Sequence, residues 1–499
     1  MLRGYAVADV RAAEDRVRAG LADGELMMRA ARGLAEVVAL RARQRGARRI
    51  VVLAGPGDNG GDALHAAALL ATEASVTVVG VAARLHAGGS RAVEEAGVPV
   101  LQVDPDAAEL PDRVAAVLAG ADLVVDGLLG IGGRPGLRGA MARVVDAVPG
   151  TAYLLAVDLP SGADPEGRQT PAAAVFADET VTFGMLKPVH LLPGGEPAVG
   201  RLTVVDIGVP MDATPVVERW EHADVAAVWS VPGPRDHKYS RGVLGVVAGS
   251  AAYPGAAVLC VTAAVEAGAG MVRYLGPRRA EDLVLAACPE SVPGPGRMQA
   301  AVVGPGVEPQ GCDHPECDDG QARAVRELLG EDLPLVVDAG ALTVLACWLA
   351  EGHRRTAPTL LTPHAGELAR LLSTVQDTPV TREQVEEDPL ASARRAAGLT
   401  GCTVLLKGST TLVVDPDPDV PARSQTGAPA WLATAGAGDV LAGLAGTLLA
   451  AGLPPRDAGS LAALVHGVAA DRANPGGPVR ALAVARALPG AVASLLARD

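Results

Sequence analysis

Residues 50–70 read IVVLAGPGDNGGDALHAAALL. IVVLA is a short aliphatic run without polar alternation, the pattern of a strand buried on both faces. GPGDNGG follows, and its glycines and proline break the strand and allow a tight turn. DALHAAALL then resumes with alanine and leucine, strong helix formers. Strand, glycine-rich turn and helix in that order predict one βα unit of a parallel sheet. The free N–H groups at the helix start are also suited to an anion. The spacing is not G-x-G-x-x-G, so the dinucleotide fingerprint is not met, and a plain structural turn is the other reading of this loop taken alone.

Similar apolar runs recur outward from this stretch, at 76–82, 123–130, 153–160, 179–184 and 201–208, mostly with alanine-rich helical stretches between them. A long helix is expected ahead of the first strand, over about Gly24–Arg45. After VDIGVP the pattern breaks, and MDATPVVERWEHAD (211–224) reads as a polar linker. A second series then begins, at 243–249, 270–276, 300–306, 334–340, 359–364, 403–408 and 410–415, and the chain ends in helices. Two α/β domains with parallel sheets are expected, over residues 1–215 and 222–499. The stretches around 308–320 and 374–390 read as loops or insertions.

Composition narrows the function. The 499 residues carry a formal charge of −14, which argues against a nucleic-acid partner. Nearly half the chain (49%) is apolar, enough for aliphatic cores and against disorder. Neither a signal peptide nor a membrane span is legible, so a cytoplasmic protein is expected. Most cysteines sit in apolar runs and read as buried thiols. The exception is CDHPEC (312–317), where Cys312, His314 and Cys317 are a metal clip or a polar loop. No second ligand pair follows at zinc-like spacing, which favours the loop.

Acids gather at the strand ends of the first half. Asp126 closes a run in VVDGLLGIGGRPG (124–136) and Asp158 another in VDLPSG (157–162). Ligands of parallel sheets bind beyond the carboxyl ends of the strands, so Asn59, Asp62, Asp126, Asp158 and Ser161 are expected around one crevice. Such oxygen donors suit a hard cation, and a spare carboxylate can accept a proton. The ordered series GPGDNGGDA, VVDGLLGIGGRPGLRG, VDLPSGADPEG and VTFGMLKPVHLLPGGEPAVGRLTVVDIGVP resembles the NAD(P)H-hydrate epimerase family, the YjeF N-terminal domain, over roughly residues 5–213. The resemblance implies a Rossmann-like fold, interconversion of the R and S forms of hydrated NADH and NADPH, and a K⁺ ion. It implies Asn59, Asp126 and Ser161 as K⁺ ligands. Asp58, Asn59, Gly60, Gly61 and Asp62, with Gly130, Ile131, Gly132, Gly133, Arg134, Pro135 and Gly136, would hold the nucleotide. Asp158 would reach the substrate, and Lys187 matches the family's lysine near the reaction centre. Asp58 and Ala63 depart from the usual GPGNNGGDG, and Asp58 requires a cation nearby if a pyrophosphate is to sit there.

In the second half, TAGAGDVLAGL (434–444) places Asp439 behind three small residues at the start of an apolar helix. Asp439 either caps that helix or takes a proton beside a phosphoryl group held at the helix start. This segment resembles the anion hole of ribokinase-like kinases. Together with YPGAA, CPESV, VVGPGV, VVDAGAL, LTPHAGELARLL and LLKGSTTLVVD it resembles the ADP-dependent NAD(P)H-hydrate dehydratase family, the YjeF C-terminal domain, over about residues 225–497. The resemblance implies a ribokinase-like α/β/α domain that dehydrates the S hydrate while ADP becomes AMP and phosphate. Asp439 would be the catalytic base. Ala257, Gly306 and His364 would line the hydrate site, and Lys407, Gly408, Ser409, Thr410, Thr411 and Gly438 would contact the adenine nucleotide. Gly340 stands where the family has an aspartate, and Asp338 remains beside it.

A bifunctional repair enzyme is therefore expected, needing ADP, K⁺ and Mg²⁺, with small-molecule partners and a homo-oligomeric state implied by the resemblance. Two rivals stand beside it. One is a small-molecule kinase with an accessory N-terminal domain, which would demand ATP. The other is an N-terminal half that binds without catalysing.

Overall fold

A computed structural model describes residues 1–308 and 320–497. The chain forms two compact units, Arg3–Val217 and Glu218–Asp499, the second joined by Met1–Leu2. The terminal ammonium of Met1 lies 3.1 Å from Glu221 Oε2 and 2.8 Å from Asp224 Oδ2.

The first unit is built on seven parallel strands: β1 (Arg49–Ala54), β2 (Ser75–Val81), β3 (Val100–Val103), β4 (Leu123–Gly127), β5 (Tyr153–Val157), β6 (Glu179–Phe183) and β7 (Arg201–Val205). Their spatial order is 3-2-1-4-5-6-7. The order reverses between β1 and β4, and this switch point is where ligands of such sheets bind. Side chains alternate along each strand. Ile50 and Val52 join one core with Leu34 and Val38 of the helix Glu25–Arg45, while Val51 and Leu53 join another with Val114, Leu118 and Val144. Both faces are covered, which is why the strands read as unbroken apolar runs.

Among the described residues the second unit holds β8 (Val243–Val247), β9 (Met271–Tyr274), β10 (Val292–Pro293), β11 (Ala300–Val303), β12 (Leu335–Val337), β13 (Thr359–Leu361), β14 (Thr403–Leu406), β15 (Thr411–Val414) and β16 (Ala422–Gln425). They lie in the order 16-15-14-13-12-11-8-9-10, parallel except for the antiparallel pairs β14–β15 and β15–β16. The helices Pro254–Glu266, Ala437–Ala450, Pro455–Ala473 and Ala481–Leu496 share its main core.

Several expectations change. The polar linker holds a strand, Val217–Arg219, and a helix, His222–Val228, because Val217, Trp220 and Val225 are buried. The loop expected at 374–390 is mostly helical, with Arg382–Glu387 capped by Thr381. Gln384 N donates to Thr381 Oγ1 at 3.3 Å. Cys260, Cys288 and Cys402 are buried free thiols, whereas Cys347 is disulfide-bonded and leaves that set. The candidate clip Cys312–Cys317 lies outside the described residues. Among the described residues no helix is long and apolar enough to cross a membrane.

Candidate active sites

In the first unit the ends of β1, β4 and β5 carry the predicted residues together. Asn59, in the first turn of the helix Asp58–Leu70, donates its Nδ2 to Val157 O at 2.6 Å and to Leu129 O at 3.3 Å. That leaves Oδ1 as its free oxygen. A Cβ at Gly130 would lie 2.3 Å from that atom, so only glycine permits the loop to pass so close. Asp126 is fully buried at the end of β4 and accepts hydrogen bonds from Ser161 Oγ (2.7 Å) and Ser161 N (2.9 Å). Ser161 Oγ and Asn59 Nδ2 both reach Leu129 O, each at 3.3 Å, so Asn59 and Ser161 meet at one carbonyl and Asp126 joins them through Ser161.

Asp158 follows β5 with φ +66°, a conformation that costs a non-glycine residue roughly 1–2 kcal/mol. Its neighbours hold it there. Lys187 Nζ donates to Asp158 Oδ1 at 2.5 Å, and Thr182 Oγ1 donates to the same oxygen at 2.9 Å. His190 accepts Lys187 N on Nδ1 (2.9 Å), so its Nε2 proton goes to Asp158 O at 2.8 Å. Burial pushes the Asp158 carboxyl up, but the Lys187 ammonium outweighs it and holds the group below the usual carboxylate range. Asp62 behaves oppositely. It is buried, its Oδ1 has no hydrogen-bond partner among the described residues, and burial and the nearby Asp158, Asp58 and Glu14 push it well up. Two carboxyls whose surroundings shift their proton affinity in opposite directions therefore lie close together.

A cavity of about 470 Å³ opens here. Asp58, Asn59 and Gly130, Ile131, Gly132 and Gly133 line it, whereas Gly60, Gly61 and Asp62 are buried behind it. Arg134, Pro135 and Gly136 are not on its wall; Gly136 N instead donates to Gly162 O at 2.8 Å. Its remaining wall is a face that motif reading missed: Arg11, Glu14, Asp15 and Arg18 of the helix Val7–Arg18. Spacings of three and four residues put these on one side of the helix, while Val7, Val10 and Ala13 are buried on the other. That periodicity was the available signal. Arg11 Nη2 donates to Ile131 O at 3.0 Å, and Arg11 and Asp58 both line the cavity.

In the second unit the site forms beyond β12, β13 and β14. Lys407 Nζ donates to Asp338 Oδ1 at 2.9 Å and lies 3.6 Å from Glu367 Oε2. Thr362 Oγ1 donates to the same Asp338 oxygen at 2.8 Å. His364 caps its helix: its Nδ1 accepts Gly366 N (3.1 Å) and Glu367 N (3.3 Å), which leaves the proton on Nε2. Asp439 is the third residue of the helix Ala437–Ala450, whose N-cap is Gly436, so it is not the capping residue. Burial, then Asp338 and Glu367, push Asp439 up to about 7 against the pull of Lys407. Gly438 lies against Lys407, with a Cβ there 3.4 Å from Nζ. Gly408 and Ser409 are exposed, Thr410 is buried, and Thr411 begins β15. Ala257 and Gly306 flank Gly249: a Cβ on Gly249 would lie 3.0 Å from Ala257 Cβ, and one on Gly306 3.3 Å from Gly249 Cα. Asp338, noted in the sequence as the acid remaining beside Gly340, joins the site after its strand as Asp158 does, and Glu367 joins it without a role from the motif reading. A side chain at Gly340 would meet Val307 O at 2.0 Å, so this backbone leaves no room for the family's aspartate.

Comparison with known proteins finds a different family model in each unit. Residues 23–189 match the family model of the YjeF-related protein N-terminus, and residues 244–485 match that of NAD(P)H-hydrate dehydratase. The bifunctional NAD(P)H-hydrate repair enzyme of Mycobacterium tuberculosis is 44% identical over 91% of this chain and 90% of its own. The enzyme of that description from Escherichia coli is 33% identical over 91% of this chain and 85% of its own. Among solved structures, the ADP/ATP-dependent NAD(P)H-hydrate dehydratase of Bacillus subtilis, co-crystallised with ATP and Mg²⁺, aligns at TM-score 0.48 and 23% identity, over 56% of this chain and 98% of its own.

Proposed function

Because this chain belongs to the family of bifunctional NAD(P)H-hydrate repair enzymes, we infer that its two sites act in turn on one damaged cofactor. The first unit epimerises the R and S hydrates of NADH and NADPH. The second dehydrates the S form back to the reduced cofactor. The observation that carries this reading is a carboxyl set beside a lysine in each unit: Asp158 paired with Lys187 Nζ at 2.5 Å, and Asp439 in the first turn of the helix Ala437–Ala450, next to Gly438, which lies against Lys407 Nζ.

The hydrate carries a hydroxyl on the carbon beside the ring nitrogen. Hydroxide leaves that carbon slowly. In the second site Asp439 takes the hydroxyl proton as its oxygen attacks the terminal phosphorus of ADP, and AMP departs. The phosphate ester then breaks at carbon, and loss of a proton from the adjacent ring carbon restores the double bond and frees phosphate. Lys407 and the N–H groups at Gly438 receive the phosphoryl charge. Ala257, Gly306 and His364 hold the hydrate, and Lys407 to Thr411 the adenine nucleotide. Mg²⁺ accompanies the phosphates.

In the first site the oxygens of Asn59, Asp126 and Ser161 suit K⁺. They offer one carboxylate with neutral donors, and burial pushes Asp126 up until a cation offsets its charge. The ion would supply local positive charge beside the nucleotide phosphates. Asp158 acts as the proton acceptor, and Asp58 and Asn59 with Gly130 to Gly133, which line the cavity, hold the nucleotide. The same reading makes the enzyme cytosolic and homo-oligomeric, which fractionation and light scattering test.

The deciding measurement is recovery of NADH absorbance from mixed R and S hydrates, with ADP or ATP, K⁺ and Mg²⁺, for wild type and Asp439→Asn. Full conversion with ADP, lost in the variant, is expected. Conversion that stops at the S fraction refutes the epimerase half. No conversion with either nucleotide refutes the whole reading. Exchange of K⁺ for Li⁺ is expected to slow only the R-dependent phase.

A further inference from the structure

We propose that Glu14 is the second proton-transfer residue of the epimerase site, protonating the ring nitrogen of the hydrate while Asp158 takes the hydroxyl proton. The proposal rests on the epimerase reading above. Glu14 joins two parts of that site. It lines the 470 Å³ cavity beside Asp58 and Asn59, and it lies within electrostatic reach of both Lys187 and Asp158.

The chemistry needs two groups. Hydroxyl and ring nitrogen share one carbon, so that carbon inverts by ring opening. A base removes the O–H proton, the freed electron pair forms C=O, and the C–N bond breaks with its pair moving to nitrogen. Nitrogen takes a proton from an acid. The aldehyde turns about its single bond to the ring chain, and the reverse steps on its other face return both protons. Nothing is oxidised or reduced, and no co-reactant is consumed.

The other candidates for the acid are already committed. Lys187 directs its three protons at Asp158 Oδ1 (2.5 Å), Thr182 Oγ1 (3.2 Å) and Met185 O (3.5 Å), and it is 1% exposed. His190 spends one ring nitrogen on Lys187 N and the other on Asp158 O. Asp62, like Asp158, is buried and does not line the cavity, and of these three carboxyls only Glu14 does. Glu14 is half-buried, and its carboxyl makes no hydrogen bond among the described residues. Burial, with Asp158 and Asp15, pushes its carboxyl up against the pull of Lys187 and Arg18. Asp62 also faces it, and Arg11 and Asp58 share the cavity wall. A carboxyl raised by burial beside one lowered by an ammonium is the arrangement that divides acid from base.

The test follows the purified R hydrate turning into S by chromatography, on the full chain without ADP, so that only epimerisation is read. Glu14→Gln is expected to lower kcat about 100-fold or more with KM held, the usual range for losing a general acid. It is also expected to erase the fall in kcat at alkaline pH. Glu14→Asp restores part of the rate and moves that fall to lower pH. Dehydration of the S hydrate with ADP stays at wild-type rate in both, which reports that the chain is folded. If Asp158→Asn abolishes turnover while Glu14→Gln keeps the wild-type kcat and alkaline limb, the role of Glu14 is refuted. It is equally refuted if the loss lies in KM with the alkaline limb intact. If Asp158→Asn epimerises at the wild-type rate, the epimerase reading itself falls.

Discussion

Asp439 shows how a single residue trades stability for reactivity. Its carboxyl is raised from an ordinary 3.8 to about 7 by burial and by Asp338 and Glu367. Between those values the folded state binds the proton that the unfolded state has released, so stability falls as pH rises from about 4 to about 7. Asp439→Asn is therefore expected to melt higher than wild type at pH 8 and to match it near pH 4, as thermal unfolding at the two pH values will show. The same variant loses dehydration by ~10²-fold or more, and the wild-type rate climbs through about pH 7 as the base ionises. Lys187 carries the opposite risk. Lys187→Met strands Asp158 without its partner in a buried site, and a loss of about 3–5 kcal/mol is expected, read by denaturant unfolding. Asp158→Asn with Lys187→Met then recovers part of that loss, because no uncompensated charge is left inside.

At the scale of elements, both sites depend on how closely loops pass their neighbours. Gly130→Ala puts a methyl 2.3 Å from Asn59 Oδ1, and either the 130–133 loop or Asn59 must move. Epimerisation is expected to fall and K⁺ dependence to weaken, while S-hydrate dehydration is unchanged in the same assay. Gly340→Ala meets Val307 O at 2.0 Å at the start of a buried helix, and overpacking of this kind costs ~1–3 kcal/mol. A shift in the urea midpoint checks that cost. The absent aspartate at this position is thus a packing feature of this chain, and the charge near the phosphoryl site rests on Asp338, Glu367 and Lys407. The helix Val7–Arg18 illustrates the converse. Its apolar face is modest, yet its polar face completes a cavity wall and brings Arg11 to Ile131 in the 130–133 loop.

For the whole molecule, the two compact units set the expectation of independence. Asp158 and Asp439 lie in different units and share no partner, so their effects on stability are expected to add within ~0.5 kcal/mol. Kinetically they separate into phases. With mixed hydrates Asp158→Asn stops recovery at the S fraction, and Asp439→Asn stops it altogether; a double variant that behaves unlike Asp439→Asn would contradict two sites in series. The main departures from expectation lie at junctions. MDATPVVERWEHAD reads as polar by count, but Val217, Trp220 and Val225 find cores to enter, and three apolar side chains are enough to order a strand and a short helix.

Much was determined by sequence alone, because the signals are local. Unbroken aliphatic runs require strands covered on both faces, and glycine-rich turns at their ends require tight entry into helices. From these come the two parallel sheets, the strand-end acids and the helix start that carries Asp439. Tertiary structure decided what depends on distance through space. It paired Lys187 with Asp158 across 29 residues and Lys407 with Asp338 across 69. It made His364 a helix cap, put Asp439 past the capping position, and turned Glu14 toward a cavity whose other walls begin more than forty residues later. Charge states follow the same division. A carboxylate in a sequence has one ordinary proton affinity, and only burial and specific neighbours send Asp158 one way and Asp439 the other.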